Sequence, residues 1–115
     1  MQLESREGQQ PKRVLIVEDE SVWQDLYKRM LEPRGIQVTT ASGVKEALEL
    51  LENGNFDRII TDGLEGGWIR IATRAQEIGL PVKLISGDSR HKEHAESIGV
   101  EFINKSEVAK KRDQL

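Results

Sequence analysis

Short aliphatic, β-branched runs alternate with amphipathic segments along the chain, and few folds accept that alternation. Val14-Leu15-Ile16-Val17 is continuous and apolar, as a strand buried on both faces must be. Ile36 to Thr40 alternates and reads as a second strand. Phe56 to Thr61 is a third, with Ile59 and Ile60 at its centre, and Val82 to Ile85 and Val100 to Ile103 are a fourth and a fifth. Between them the period changes. Val22, Leu26 and Met30 recur four apart after Ser21, with Trp23 and Tyr27 beside them, and predict one apolar helix face. Val44, Ala47, Leu48 and Leu51 follow Ser42 in the same way, and Ile71, Ala75 and Ile78 share a face within Trp68 to Ile78. Ser21 and Ser42 are candidate N-caps. Pro33 with Gly35, Asn53 to Asn55, and Gly79 are stops. A short polar helix over Ser89 to Ile98, and a last one capped by Ser106, complete a small doubly wound α/β sheet.

Composition narrows the function. A chain of 115 residues, 37% hydrophobic, fits one domain with one core. The domain is expected over residues 12–115, preceded by a flexible polar leader over 1–11. The net charge of −3 argues against a nucleic-acid-coating protein. Without cysteine there are no disulfides, thiolate metal sites or thiol nucleophiles. No apolar run approaches the ~20 residues that span a bilayer, and no signal peptide is seen, so a cytoplasmic protein without membrane contact is expected.

In open α/β sheets ligands gather at the carboxyl ends of the strands. The residues there are Glu18, Asp19 and Glu20 after the first strand, Asp62 after the third, Ser86 after the fourth and Lys105 after the fifth. Clustered carboxylates repel one another, and a divalent cation relieves the conflict. Mg2+ prefers such oxygen ligands, with Asp19 and Asp62 binding directly and Glu18 through water. Lys105 is a point charge for phosphoryl oxygens, Ser86 a hydrogen-bond donor to one of them, and Asp62 a nucleophile able to form an acyl phosphate.

The stretches Val14 to Glu20, Phe56 to Asp62, Pro81 to Ser86 and Phe102 to Lys105, with Ala41-Ser42-Gly43 through Glu46-Ala47-Leu48, resemble the bacterial two-component response-regulator receiver domain. The similarity covers roughly Lys12 to Ser106. It implies a flavodoxin-like sheet of strand order 2-1-3-4-5. It also implies a phosphoacceptor rather than an enzyme with turnover on a separate substrate. Asp62 would take phosphate from a histidine kinase or phosphotransfer protein. Glu18 and Asp19, with the backbone carbonyl of Leu64, would form the Mg2+ pocket around Asp62. Ser86 and Phe102 would be the switch hydroxyl and switch aromatic, and Lys105 would bind phosphoryl oxygens. A downstream protein partner and a monomer or weak dimer are expected, with output by a population shift between two conformations.

The sequence departs from the family in several places. Gly66 stands where a proline is usual, which predicts a more mobile loop. Ser106 replaces the proline after the lysine, which predicts a trans Lys105–Ser106 bond. The third and fourth helix regions and the last helix are trimmed. These departures motivate an alternative, a non-phosphorylated pseudo-receiver that binds partners. A Mg2+-dependent phosphohydrolase is disfavoured, because Leu64 stands where those with an aspartate nucleophile usually carry a second acid. Asp62 before Gly63 also fits a plain turn, and Glu18 to Glu20 a solvated helix start. Lys105 is read as ending a central strand. His91 and His94, three apart, lack a third fixed ligand and read as a solvated face. Trp68 reads as core or loop cover, and Trp23 and Tyr27 as helix packing.

Overall fold

The computed structural model describes residues 12–115, so the expected leader over 1–11 lies outside the described residues. Five strands form one parallel sheet: β1 (Arg13–Val17), β2 (Gln37–Ala41), β3 (Arg58–Thr61), β4 (Val82–Ser86) and β5 (Glu101–Asn104). Their order is β2-β1-β3-β4-β5, as expected. Four α-helices connect them: α1 (Ser21–Leu31), α2 (Val44–Asn53), α3 (Trp68–Glu77) and α4 (His91–Ser97).

Alternation along the strands builds two cores. Leu15, Val17, Ile59 and Leu84 face one side, where Ala47 and Leu51 of α2 and Trp68, Ile71 and Ala75 of α3 close over them. Val14, Ile16, Ile60, Ile85 and Ile103 face the other, under Tyr27 and Leu31 of α1 and under Val108 and Leu115. Both faces of β1 are therefore dry, which is why its four apolar residues run without interruption.

Part of the apolar face expected on α1, Val22 and Leu26, turns outward, while Met30 packs inward with Trp23 and Tyr27. Trp23, Tyr27 and Leu31 lie toward the core, whereas Val22 is 75% exposed and Leu26 is exposed as well. Two stripes one residue apart compete in this window, and the one carrying two aromatic rings removes more apolar area from water. Neither serine caps its helix by side chain. Ser21 is already helical, and α2 opens at Val44, with the Glu46 carboxylate accepting the Ser42 N–H at 2.8 Å.

The last helix is absent as such. Asn104, not Ser106, provides the cap, accepting the Ser106 N–H at 3.0 Å and its hydroxyl at 2.8 Å. Two 3-10 turns follow, at Lys105–Glu107 and Arg112–Gln114. Val108 and Leu115 are the buried apolar residues of this segment, too few for a continuous apolar stripe. The Lys105–Ser106 peptide is trans. Among the described residues no helix is long and apolar enough to cross a membrane.

Candidate functional site

Strand register assembles the site. Val17 pairs with Ala41 on one side and Thr61 on the other, so β1 and β3 end level. The ladder then runs one step further: Glu18 N–H donates to Ala41 O at 2.9 Å and Asp62 N–H to Val17 O at 2.8 Å. Glu18 and Asp62 consequently stand side by side at the carboxyl edge. Ser86 and Asn104 pair at the ends of β4 and β5, which delivers Ser86 and Lys105 to the same edge. Lys105 follows the edge strand β5 rather than a central strand, as the strand order requires.

One ammonium joins the two acids. Lys105 Nζ lies 2.8 Å from Glu18 Oε1 and 3.1 Å from Asp62 Oδ1. Glu18 is 0% exposed, and its second oxygen accepts the Glu20 N–H at 3.1 Å. Burial pushes the Glu18 carboxyl above its ordinary range. The Lys105 and Glu20 hydrogen bonds oppose that rise, while the Asp62 charge and the Asp19 carboxyl add to it. Burial alone would depress the Lys105 ammonium, but hydrogen bonds and charge from Glu18 and Asp62 outweigh it and leave the group raised.

The acids Glu18, Asp19 and Glu20 place one carboxylate oxygen each within 4.8 Å of one another. An all-oxygen, anionic set containing one fully buried carboxylate fits a hard divalent cation such as Mg2+. Glu20 joins this cluster, whereas Asp62 is paired with the Lys105 ammonium. The Leu64 carbonyl accepts the Gly67 N–H at 2.9 Å and keeps one lone pair.

The loop after Asp62 is a tight left-handed turn. Leu64 (φ 49°), Glu65 (φ 54°) and Gly66 (φ 98°) follow one another in the left-handed region. Two consecutive side chains there are strained by ~1–2 kcal/mol each, and the third position suits glycine. Gly66 therefore stands where a proline would be sterically excluded, since the proline ring fixes φ near −65°.

A cleft of about 540 Å³ opens beside Asp62, walled by Ser86, Asp88, Arg90, His91 and Lys105. Ser86 is 4% exposed. Its Oγ accepts the Asp88 N–H at 3.0 Å and lies 3.2 Å from His91 Nδ1. Asp88 is clamped by Arg90 at 2.9 and 2.8 Å, which holds its carboxyl down at about 2. Phe102 is half-buried against the α2–α3 core, level with Leu84.

Two side chains at this edge escaped the sequence reading. Trp23 lays its ring 4.5 Å from Lys105 Nζ, a cation–π contact in addition to helix packing. His91 is not on a solvated face: it touches Ser86 and stands 6.0 Å from the fully buried Trp68, which also meets His94 edge-on at 5.3 Å. The available signal was spacing. Each follows a strand-end site residue, Glu18 or Ser86, by five positions, where the first turn of the next helix passes back over the edge.

The Response_reg family model, the response regulator receiver domain, matches residues 14–106. The chain is 32% identical over 92 residues to a two-component response regulator of Arabidopsis thaliana, across 75% of this chain and 15% of that protein. It thus spans a small part of that relative. A Thermotoga maritima response regulator solved with Mg2+–BeF superposes with a TM-score of 0.74 at 26% identity, covering 90% of this chain and 97% of that one. A LuxR family DNA-binding response regulator from Silicibacter pomeroyi gives 0.71 at 32% identity, covering 83% and 80%.

Proposed function

The chain belongs to the response regulator receiver family, and from that membership we propose that Asp62 accepts a phosphoryl group from a histidine kinase or phosphotransfer protein. The observation that carries this reading is the single ammonium of Lys105 bound to both Glu18 and Asp62. It places a carboxylate oxygen at the cleft with a cation already beside it. An Asp62 oxygen attacks phosphorus, the bond from phosphorus to the donor breaks, and the donor leaves with that electron pair. Charge then moves outward from the Asp62 carboxylate to the phosphoryl oxygens, and Lys105 follows it. Ser86 donates its hydroxyl to a second phosphoryl oxygen, vacating space that Phe102 on β5 then fills.

Glu18 and Asp19, with Asp62 and the Leu64 carbonyl, would hold Mg2+. When bound, Mg2+ neutralises the charge that builds on the incoming group. Glu18 and Asp19 are assigned from the acidic cluster at the end of β1, Asp62 and Leu64 from the family resemblance, and Mg2+ from the Thermotoga relative's Mg2+–BeF complex. The domain is a phosphoacceptor and signalling module, not an enzyme acting on a separate substrate. Its output passes through a downstream protein partner, as a monomer or weak dimer in the cytoplasm.

A second reading, a pseudo-receiver that binds partners without phosphorylation, is favoured by the left-handed Leu64–Glu65 pair and by the reduction of the last helix to 3-10 turns. Intact mass after incubation with phosphoramidate and Mg2+ separates the two. One phosphoryl group is expected on the wild type and none on Asp62→Asn. No gain, or an equal gain in both, sinks the phosphoacceptor reading.

A further inference from the structure

The imidazole of His91 has no part in the chemistry above, yet it occupies the partner position of the switch hydroxyl. Ser86 Oγ has two lone pairs and one proton. The Asp88 N–H takes one lone pair at 3.0 Å, and His91 Nδ1 lies at 3.2 Å. With Ser86 only 4% exposed, water is a poor substitute for that ring nitrogen. The site is built to admit the ring. A Cβ at residue 63 would lie 3.1 Å from His91 Cε1, 3.2 Å from His91 Nδ1 and 3.2 Å from Ser86 Oγ, so Gly63 leaves the space the imidazole fills. His91 Nε2 stands 3.9 Å from the Asp88 carboxylate, which Arg90 fixes. The ring thus contacts Ser86 on one side, faces the Asp88 carboxylate on the other, and lines the same cleft as Asp62 and Lys105.

We propose that His91 is the positioning residue of the Ser86 hydroxyl: it engages that hydroxyl in the resting state, so an anion on Asp62 must win it from the imidazole, and it carries the exchange to Trp68 and α4. This rests on the phosphoacceptor reading and adds the residue that sets the balance of the switch. The resting state keeps Ser86 satisfied through His91, whereas the switched state satisfies it through the phosphoryl oxygens. Removing the ring nitrogen penalises the resting state alone, because the Ser86 hydroxyl proton is then left without an acceptor only there, the Asp88 N–H remaining as a donor to Oγ. The route outward is short, since Trp68 lies 6.0 Å from His91 and 5.3 Å from His94, and both histidines belong to α4.

The test uses Mg2+ with beryllofluoride as the phosphoryl mimic. His91→Phe keeps an aromatic ring against Trp68 and removes both nitrogens. Loss of one resting-state hydrogen bond is expected to tighten beryllofluoride binding roughly three- to tenfold. His91→Asn, whose amide nearly matches the place of Nδ1, returns the affinity toward wild type. In the wild type the Trp68 indole N–H signal shifts on binding. Independently of any phosphoryl mimic, long-range 1H–15N spectra of the imidazole change in Ser86→Ala. Equal affinities in wild type and His91→Phe overturn the inference alone, as does an imidazole spectrum untouched by Ser86→Ala. Weaker binding by His91→Phe also overturns it, because the ring would then be holding the anion itself. Absence of beryllofluoride binding by the wild type overturns the phosphoacceptor reading and the inference with it.

Discussion

Lys105 Nζ sits 4.5 Å from the centre of the Trp23 ring while it binds Glu18 at 2.8 Å and Asp62 at 3.1 Å. The ammonium is therefore enclosed by an aromatic face and two carboxylates, and its side chain is only 14% exposed. In that setting the ring is more than a packing element. Trp23→Leu keeps an apolar side chain but removes the quadrupole, and should cost about 1 kcal/mol in urea unfolding. Trp23→Phe, which keeps a weaker π-face, should lose less. Equal losses in the two variants would reduce the contact to packing.

The Glu18–Lys105 pair makes a stronger demand. Truncating Lys105 to Met strands a fully buried carboxylate, and breaking a buried pair in this way costs about 3 kcal/mol. Replacing Glu18 with Gln in the same background removes the stranded charge. The double variant Glu18→Gln/Lys105→Met should accordingly be more stable than Lys105→Met alone. A double-mutant cycle by chemical denaturation measures this directly. Additive losses would mean that Glu18 finds another partner.

Most of this architecture was legible in the sequence, because period and strand ends are local properties. The run Val14 to Val17 announces a strand dry on both faces, and acids, hydroxyl and lysine at strand termini announce a shared edge. What escaped is what the sequence leaves degenerate. Val22 and Leu26 share a helical period with Met30, one step from Trp23, Tyr27 and Leu31, and only packing against the sheet turns the first two outward. His91 looks like any polar helix residue until α4 is folded back over Ser86. The left-handed path of Leu64 and Glu65 breaks a propensity rule, and strain of that kind is imposed by closure of the loop, not by the residues in it.

That loop yields a third expectation. Gly66 has φ 98° with nothing within 4 Å of a notional Cβ, so any penalty for a side chain there is conformational, not steric. Gly66→Ala should destabilise by about 1 kcal/mol. Gly66→Pro, which restores the residue usual for the family, should be worse, because φ is forced to the opposite sign. Thermal melts rank the three chains. A proline variant as stable as wild type would mean that the loop adopts a second path at little cost.

The last expectation concerns alkaline pH and Tyr27, the one tyrosine in the chain. The residue is only 2% exposed, and burial, then the charges of Glu18 and Asp62, push its ionisation far above the ordinary value of 10.0. The unfolded chain releases this proton near pH 10 and the folded chain keeps it. The unfolded state thus binds fewer protons above pH 10, and stability must fall as pH rises. The Lys105 contribution has the same sign, since its raised value means stabilisation present below 10.5 and lost as pH climbs through the folded-state value. Tyr27 alone should contribute a slope of up to about 1.4 kcal/mol per pH unit above pH 10. Tyr27→Phe should remove that part of the slope and leave the Lys105 part. Absorbance at the tyrosinate band should rise only as the protein unfolds. Reversible tyrosinate formation near pH 10 in the folded chain, with α1 intact by circular dichroism, would place the Tyr27 hydroxyl in contact with solvent.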